Sequence, residues 1–416
     1  MPAWGEKVLL RERLESLGRP ARSHGPRAEA DLEALAHGLR GEVRENDWGH
    51  YVVVEEMLPL PPAMAWDPLE PGWLAGGPDE ALDEQGLCFF DTETTGLNGG
   101  VGNHAFLVAL GWRIGTSMLM RQYVLADPGL ELPFLEAVSA DIGASGALVS
   151  YNGKTFDVPV LEGRLLLSRR SADCLRRPHL DLLHPSRRLF KARLGACNLQ
   201  NIEAMVLGRD RGDDIPGFLI PEMYFSYLRH RDPTVLREVL AHNRQDVVSL
   251  SLLLDHLVRC LREDSAAHPL DRFGAARLLE AVGEGDRALA VYSALWEECD
   301  GCWDGEVWPG TWTPIELAYV VGLRLATMHR RRGATSEGEK VLSWLWRRHP
   351  RAWEAAIMLA KHLEHRRKDR AAAEVVSAAI AALETERYLA PREERCLADL
   401  RRRAARLSRR VEKKAA

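Results

Sequence analysis

Between Leu87 and Leu183 the chain alternates strand and helix signals in an order that few architectures accept. The apolar run Leu87-Cys-Phe-Phe90 reads as a buried strand. Two more strands, His104 to Ile114 and Met118 to Ala126, are joined by Gly115-Thr-Ser as a hairpin. Residues 132–142 read as a helix and Ala147 to Tyr151 as a compact apolar strand. Residues 158–167 form a helix with Pro159 in its first turn, where proline is tolerated, and Leu180 to Leu183 a short strand. Val235, Leu236, Val239, Leu240, Val247, Val248 and Leu250 then recur at helical spacing within residues 235–260. Three strands, then helix, strand, helix, strand, predict an α/β domain whose mixed sheet is flanked by helices.

Outside that core the pattern changes. Residues 1–30 read as a flexible segment, with a short charged helix candidate at 6–17 and a Gly- and Pro-rich link at 18–26. Asn46-Asp-Trp-Gly49 followed by Tyr51-Val-Val-Val54 suggests a hairpin, and residues 59–78 are rich in Pro and Gly. Residues 31–85 are therefore expected to be an N-terminal extension packing on the α/β domain, placed at 86–263. Beyond Leu270 strand signals vanish. Leu325-Ala326 and Leu359-Ala360 stand 34 residues apart, as do Val341 and Val375, and Gly283 to Trp296 resembles Gly333 to Trp346 with an insertion between. That period predicts an all-α domain of tetratricopeptide-like (TPR-like) helical repeats over 264–395, with a basic tail, 396–416, expected to fray.

The formal net charge of -5 gives no whole-chain signature of nucleic-acid binding, so any phosphate site must come from local clustering. Seven scattered cysteines do not make a secreted disulfide framework. No stretch approaches the roughly 18 uninterrupted apolar residues of a membrane span, and the N-terminus lacks the form of a signal peptide. The expectation is a cytoplasmic protein with no membrane partner.

The chemistry-bearing residues lie at the ends of these elements. Alternation along a strand puts Asp91 and Glu93 on one face, where two carboxylates repel unless a hard divalent cation sits between them. A polar turn leaving a strand is the alternative. Asp157, in Tyr151-Asn-Gly-Lys-Thr-Phe-Asp157, falls at a strand-to-helix junction, where it is either a helix cap or a ligand. His242 and Asp246 are four apart on the long helix, hence on one face, as a surface pair or as part of a site.

Taken together, a strand-borne Asp-x-Glu, an Asp 64 residues after that Glu, and a helical His-x-x-x-Asp another 89 residues on resemble the DEDD superfamily of 3'-to-5' exonucleases, with a ribonuclease-H-like fold. Leu148-Val-Ser-Tyr-Asn-Gly-Lys-Thr-Phe-Asp-Val-Pro and His242-Asn-x-x-Asp-Val look most like its YprB-like branch, whose members can carry C-terminal TPR repeats. His179-Leu-Asp-Leu-Leu-His and Asp213-Asp-Ile-Pro-Gly217 also fit that branch. The resemblance covers about residues 86–263. It implies hydrolysis of single-stranded nucleic acid, DNA or RNA, from the 3' end with two divalent cations, Mg2+ or Mn2+, about 4 Å apart. Asp91 would bridge both ions, Glu93 and Asp246 complete the first site, Asp157 serve the second, and His242 orient or deprotonate the attacking water. Here the chain departs from the familiar subtypes, because its histidine stands at the spacing where members with a catalytic tyrosine carry that residue. Thr92, Thr94, Asn152, Lys154 and Phe156 lie within the two strand-end motifs and are the expected substrate contacts. His104 and Asp181 are expected to be structural.

Substrate grip is expected from a local basic band: Arg164, Arg169, Arg170, Arg176, Arg177, Arg187, Arg188, Lys191 and Arg193. Cys299-Asp-Gly-Cys302 is a weak metal signal without a second pair. The tryptophans at 303, 308 and 312 suit either packing or a protein partner docked on the repeats. Two rivals share these features: an endonuclease using the same carboxylates, and a non-catalytic scaffold working through its repeats.

Overall fold

The computed structural model describes residues 26–62, 72–74, 86–96, 102–212, 214–262, 267–301, 312–348, 352–385 and 391–415. The helix candidate at 6–17, the link at 18–26 up to Gly25, most of the Pro-rich stretch and Asp213 lie outside those residues, as do Trp303 and Trp308. So do the side chains of the Cys299–Cys302 pair.

The chain divides into two compact units, residues 1–186 with 197–258, and residues 187–196 with 259–416. The first is built on a seven-stranded mixed sheet. Helix α1 (Pro26–Leu39) precedes the hairpin β1 (Glu42–Asn46) and β2 (Gly49–Pro59), and the next three strands are β3 (Leu87–Thr94), β4 (Ala105–Ile114) and β5 (Ser117–Val124). Then come α2 (Glu131–Ala144), β6 (Ala147–Ser150), α3 (Asp157–Leu167), β7 (His179–Asp181) and α4 (Leu183–Leu194). Helices α5 (Ile220–His230) and α6 (Leu236–Cys260) close the unit. The spatial order is β1-β2-β5-β4-β3-β6-β7, with β3, β6 and β7 parallel and the other neighbours antiparallel. At the β4–β5 hairpin, Gly115 sits at φ +60°, the left-handed position that its two-residue turn requires.

The order expected from the sequence is thus present, with two shifts. The N-terminal hairpin joins the sheet itself, as β2 pairs with β5 over Val52–Pro59. The strand expected at 180–183 ends at Asp181, because Leu183 already begins α4.

The central strands are apolar on both faces, as strands covered twice must be. Cys88, Phe90, Phe106, Val108 and Leu110 belong to one apolar cluster with Val160, Leu161 and Leu165 of α3 and Tyr224 of α5. The opposite face of β3, β4 and β5 is crossed by α6. A Cβ on Gly111 of β4 would come within 2.8 Å of Val247 Cγ1, so only glycine lets the helix lie this close. Gln122 of β5 donates to the Leu240 carbonyl oxygen (2.8 Å), and Arg113 of β4 pairs with Asp255 (2.7 Å), tying α6 down at two further points.

The second unit is all helical over its described residues. Its helices are α7 (Pro269–Ala281), α8 (Gly285–Gly301), α9 (Pro314–Arg331), α10 (Thr335–Arg348), α11 (Trp353–His365), α12 (Asp369–Glu384) and α13 (Pro391–Ala415). The turns between α7 and α8, α9 and α10, and α11 and α12 are alike. Each passes through one left-handed residue, Gly283 (φ +91°), Gly333 (φ +76°) and Arg367 (φ +56°). The next amide then bonds back to the helix, as in Glu284 N to Leu279 O, Ala334 N to His329 O and Lys368 N to Leu363 O. The basic stretch expected to fray is instead helix α13. Leu397, Leu400 and Leu407 are buried, and Arg403 and Arg406 both bond the Glu364 carboxylate.

Candidate active site

Because alternate residues of a strand share a face, β3 turns Asp91 and Glu93 toward α6 and turns Phe90, Thr92 and Thr94 away. Asn243 of α6, fully buried, donates its side-chain amide to Asp91 Oδ2 at 2.7 Å. Its own oxygen accepts from Gln122 at 3.0 Å. Gln122 thereby fixes which end of the Asn243 amide faces the carboxylate. One turn on, His242 and Asp246 lie on the same helix face, with His242 Nε2 3.7 Å from Asp246 Oδ2 and 4.0 Å from Glu93 Oε1.

The other ring nitrogen has its own partner. His242 Nδ1 lies 2.8 and 2.9 Å from the two Asp214 oxygens. A carboxylate can only accept, so Nδ1 is a protonated nitrogen of the ring, and Nε2 is the one turned to Glu93 and Asp246. Asp214 stands on the connection between the π-helical turn Glu203–Leu207 and α5. Arg211 on that connection donates to Asp214 (3.0 Å), to the fully buried Glu203 and to Asp246.

Asp157 opens α3 and is buried. It accepts from the Thr92 hydroxyl, which locks the start of α3 to β3. The loop before it is shaped by a second acid: Asp181 accepts the backbone N–H of Asn152 (2.7 Å), Lys154 (3.2 Å) and Leu183 (3.1 Å). Within that loop Asn152 is left-handed (φ +67°). A Cβ on Gly153 would clash with Ser150 and reach within 3.2 Å of Asp157 Oδ2, so the glycine keeps a space open beside that carboxylate.

Crowding these acids out of water works against their ionisation. Burial, then the charges of Asp246, Asp157 and Glu93, holds the Asp91 carboxyl well above its ordinary range. Glu93 is raised in the same way by burial and by Asp246, Asp157 and Asp214. Burial pushes Asp157 up to about 6 against the pull of the Thr92 hydroxyl. Asp246 also stays raised by burial, although Arg211 and His242 draw it down. Asp214 goes the other way, because hydrogen bonds from His242 and Arg211 outweigh its burial and keep it low.

The site therefore gathers Asp91, Glu93, Asp157, Asp246 and His242. Arg211, Glu203 and Gln122 complete it and were not expected; Asp214 and Asn243 also join it, residues that the sequence placed inside motifs without giving them a role. Asn243 had left a signal, since a polar residue at the core-facing spacing of Val239, Val247 and Leu250 needs a buried partner. Thr92 and Thr94, expected on the substrate side, face inward instead: Thr92 bonds Asp157 and Thr94 bonds the Gly96 carbonyl oxygen at 2.7 Å. Asn152 and Lys154 are exposed and Phe156 is half-buried. The basic band is divided between the two units and partly neutralised. Arg164 and Arg170 are taken up by Glu131 and Glu136, Arg193 by Asp271, and residues 187–193 belong to the second unit. His104 joins Arg164 on Glu131 (2.8 Å), a structural role as expected.

A hard divalent cation suits four carboxylates with one guanidinium among them, by donor type and by charge. Among the described residues no group of three His, Cys, Asp or Glu side chains is arranged to hold an ion as it stands. Asp246 is engaged by Arg211 and would have to exchange it for the ion. No helix among the described residues is long and apolar enough to cross a membrane.

Residues 88–258 match the descriptor of the RNase_H superfamily. The uncharacterized protein YprB of Bacillus subtilis (strain 168) is 30% identical over 311 residues, covering 71% of this chain and 70% of its own. The family B DNA polymerase from the hyperthermophilic archaeon Pyrobaculum calidifontis aligns with 70% of this chain and 38% of itself, at 16% identity and a TM-score of 0.37. This chain thus spans well under half the polymerase's length. On the YprB match, the chain belongs to the YprB family and carries an RNase_H-superfamily domain over residues 88–258.

Proposed function

We propose that the chain is a metal-dependent 3'-to-5' exonuclease hydrolysing phosphodiester bonds of single-stranded nucleic acid. The observation that carries this reading is the gathering of Asp91, Glu93, Asp157 and Asp246 about His242, where burial and mutual repulsion work against ionisation of the carboxyl groups and so call for a cation. Asp91 would serve two ions, Glu93 and Asp246 the first, and Asp157 the second. Bound Mg2+ or Mn2+ would neutralise charge on the attacking and leaving oxygens.

The rest of the work falls to the chain. His242 Nε2 accepts the proton of the attacking water, Asp214 stabilises the imidazolium that forms, and Asn243 keeps Asp91 in register. The phosphorus–oxygen bond to the 3' oxygen of the preceding nucleotide breaks, releasing a nucleoside 5'-monophosphate. Lys154, exposed, would meet a phosphate, and the half-buried Phe156 a terminal base. The helical unit, read as TPR-like, would recruit a protein partner or brace the catalytic unit.

The test compares a linear and a circular single-stranded oligonucleotide of one sequence, as DNA and as RNA, with Mn2+ and with EDTA. Stepwise mononucleotide release from the 3' end of the linear strand, abolished by EDTA, is expected. Cutting of the circle would replace exonuclease by endonuclease, and an intact linear strand would end the nuclease reading.

A further inference from the structure

Within the helical unit, α10 and the turn before α12 enclose an open groove of about 700 Å3. Ser336, Lys340, Ser343 and Arg347 line it as a stripe at helical spacing, and Arg366 and Lys368 form the opposite wall. Five cations, counting Arg348, line it with one carboxylate, Glu339, and Lys340 is also paired with the exposed Glu337 one turn back on α10 (2.8 Å). The Glu339 carboxylate is already bonded by Arg366 (2.6 Å) and Lys368 (2.7 Å), which fixes both heads at the rim without balancing the rest. No carboxylate among the described residues pairs with Arg347 or Arg348. At the floor lies the half-buried Trp344, whose ring meets Trp296 edge-on (4.9 Å) and carries the Arg348 guanidinium at 5.2 Å. The indole is thus held as a rigid flat surface amid positive charge, in a chain whose formal net charge is -5.

We propose that this groove binds single-stranded nucleic acid, its phosphates on Lys340, Arg347 and the Arg366–Lys368 wall and a base against Trp344. A ligand that is both polyanionic and flat-faced uses every wall of the groove. An acidic peptide would satisfy the charge and leave the indole unused. Such binding reads phosphate and not sequence. The inference deepens the nuclease reading, since it gives the substrate strand a second hold, but it concerns a different unit of the chain.

The full-length chain is titrated into a fluorescein-labelled thirty-nucleotide oligothymidylate in EDTA, where no hydrolysis can occur. The exposed pair Lys340→Glu with Arg347→Glu is expected to weaken binding about tenfold or more at low salt. It should also flatten the plot of log affinity against log salt by about 1.4, two phosphate contacts at ~0.7 each. The same variant should hydrolyse the p-nitrophenyl ester of thymidine 5'-monophosphate with Mn2+ as the parent does, which checks its fold. If neither protein cleaves that ester, the nuclease reading fails while the binding result still decides the groove. Unchanged affinity and salt slope in the variant would overturn the proposal. Equal competition by polyglutamate or by anionic phospholipid vesicles would overturn it too, in favour of a peptide or a membrane surface.

Discussion

Asp91→Asn is expected to lower oligonucleotide hydrolysis by on the order of a thousandfold, the scale of losing one preorganised charge-stabilising group. The substitution keeps the shape of the site, because the oxygen of the introduced amide can still accept from Asn243. It removes only the charge. The same change should raise the stability of the metal-free protein, which separates a catalytic loss from unfolding. The Asp91 carboxyl is held above its ordinary value of 3.8 by burial and by Asp246, Asp157 and Glu93. A group whose pKa is higher folded than unfolded contributes stability that is fully present below the unfolded value and lost as pH rises toward the folded one. The metal-free parent should therefore lose stability from about pH 4 upward, and the Asp91→Asn variant should lose less. Thermal unfolding in EDTA is expected to show the variant melting above the parent at pH 8, with a smaller gap at pH 4. A variant less stable than the parent at pH 8 would mean that the buried charge is not the strained element.

His242→Ala should reduce kcat by about 10²–10⁴-fold, the usual contribution of a general base. More telling is Asp214→Asn. An amide can present N–H to His242 Nδ1 and so shift the ring proton to Nε2, leaving no lone pair for water. A fall in kcat of about 10–100-fold with KM little changed is expected, the scale found when the partner that orients an active-site ligand is lost. Asp214→Glu, which keeps an acceptor, should recover part of it. A rise in KM at unchanged kcat would instead give Asp214 a role in substrate binding. Single-turnover rates on the linear oligonucleotide separate the two.

Much of this site could be read before any coordinates, for a physical reason. Asp91, Glu93, Asp157, His242 and Asp246 sit on or beside regular elements, whose two periodicities fix the side-chain direction. The β4–β5 hairpin was legible because its turn demands Gly115 at positive φ, and the first hairpin because Asn46-Asp-Trp-Gly49 leads into the β-branched run Tyr51 to Val54. Arg211 and Asp214 could not be placed that way, as they lie on an irregular connection where no period applies. Glu203 was hidden for another reason, standing in a π turn that breaks the helical register. The arginine band misled because composition counts charges without their partners. Arg164 and Arg170 are bound to Glu131 and Glu136, acids some thirty residues earlier in sequence. The tail after Cys396 misled likewise, since Leu397, Leu400 and Leu407 give α13 an apolar stripe that its many arginines obscured.

The Arg211 guanidinium supplies a guide to the charge the site lacks. It already sits on Asp246 and Asp214 and is anchored from behind by Glu203, so it can hold the connection in place while Asp246 changes partner.

Electron paramagnetic resonance of Mn2+ bound to the full-length chain at pH 7.5 tests the cation centre itself. Two ions per chain are expected, with the broadened spectrum of a coupled pair, and Asp91→Asn should lose that coupling and most of the affinity. Binding that is absent at millimolar Mn2+, or identical in Asp91→Asn, would contradict a centre built on these four carboxylates.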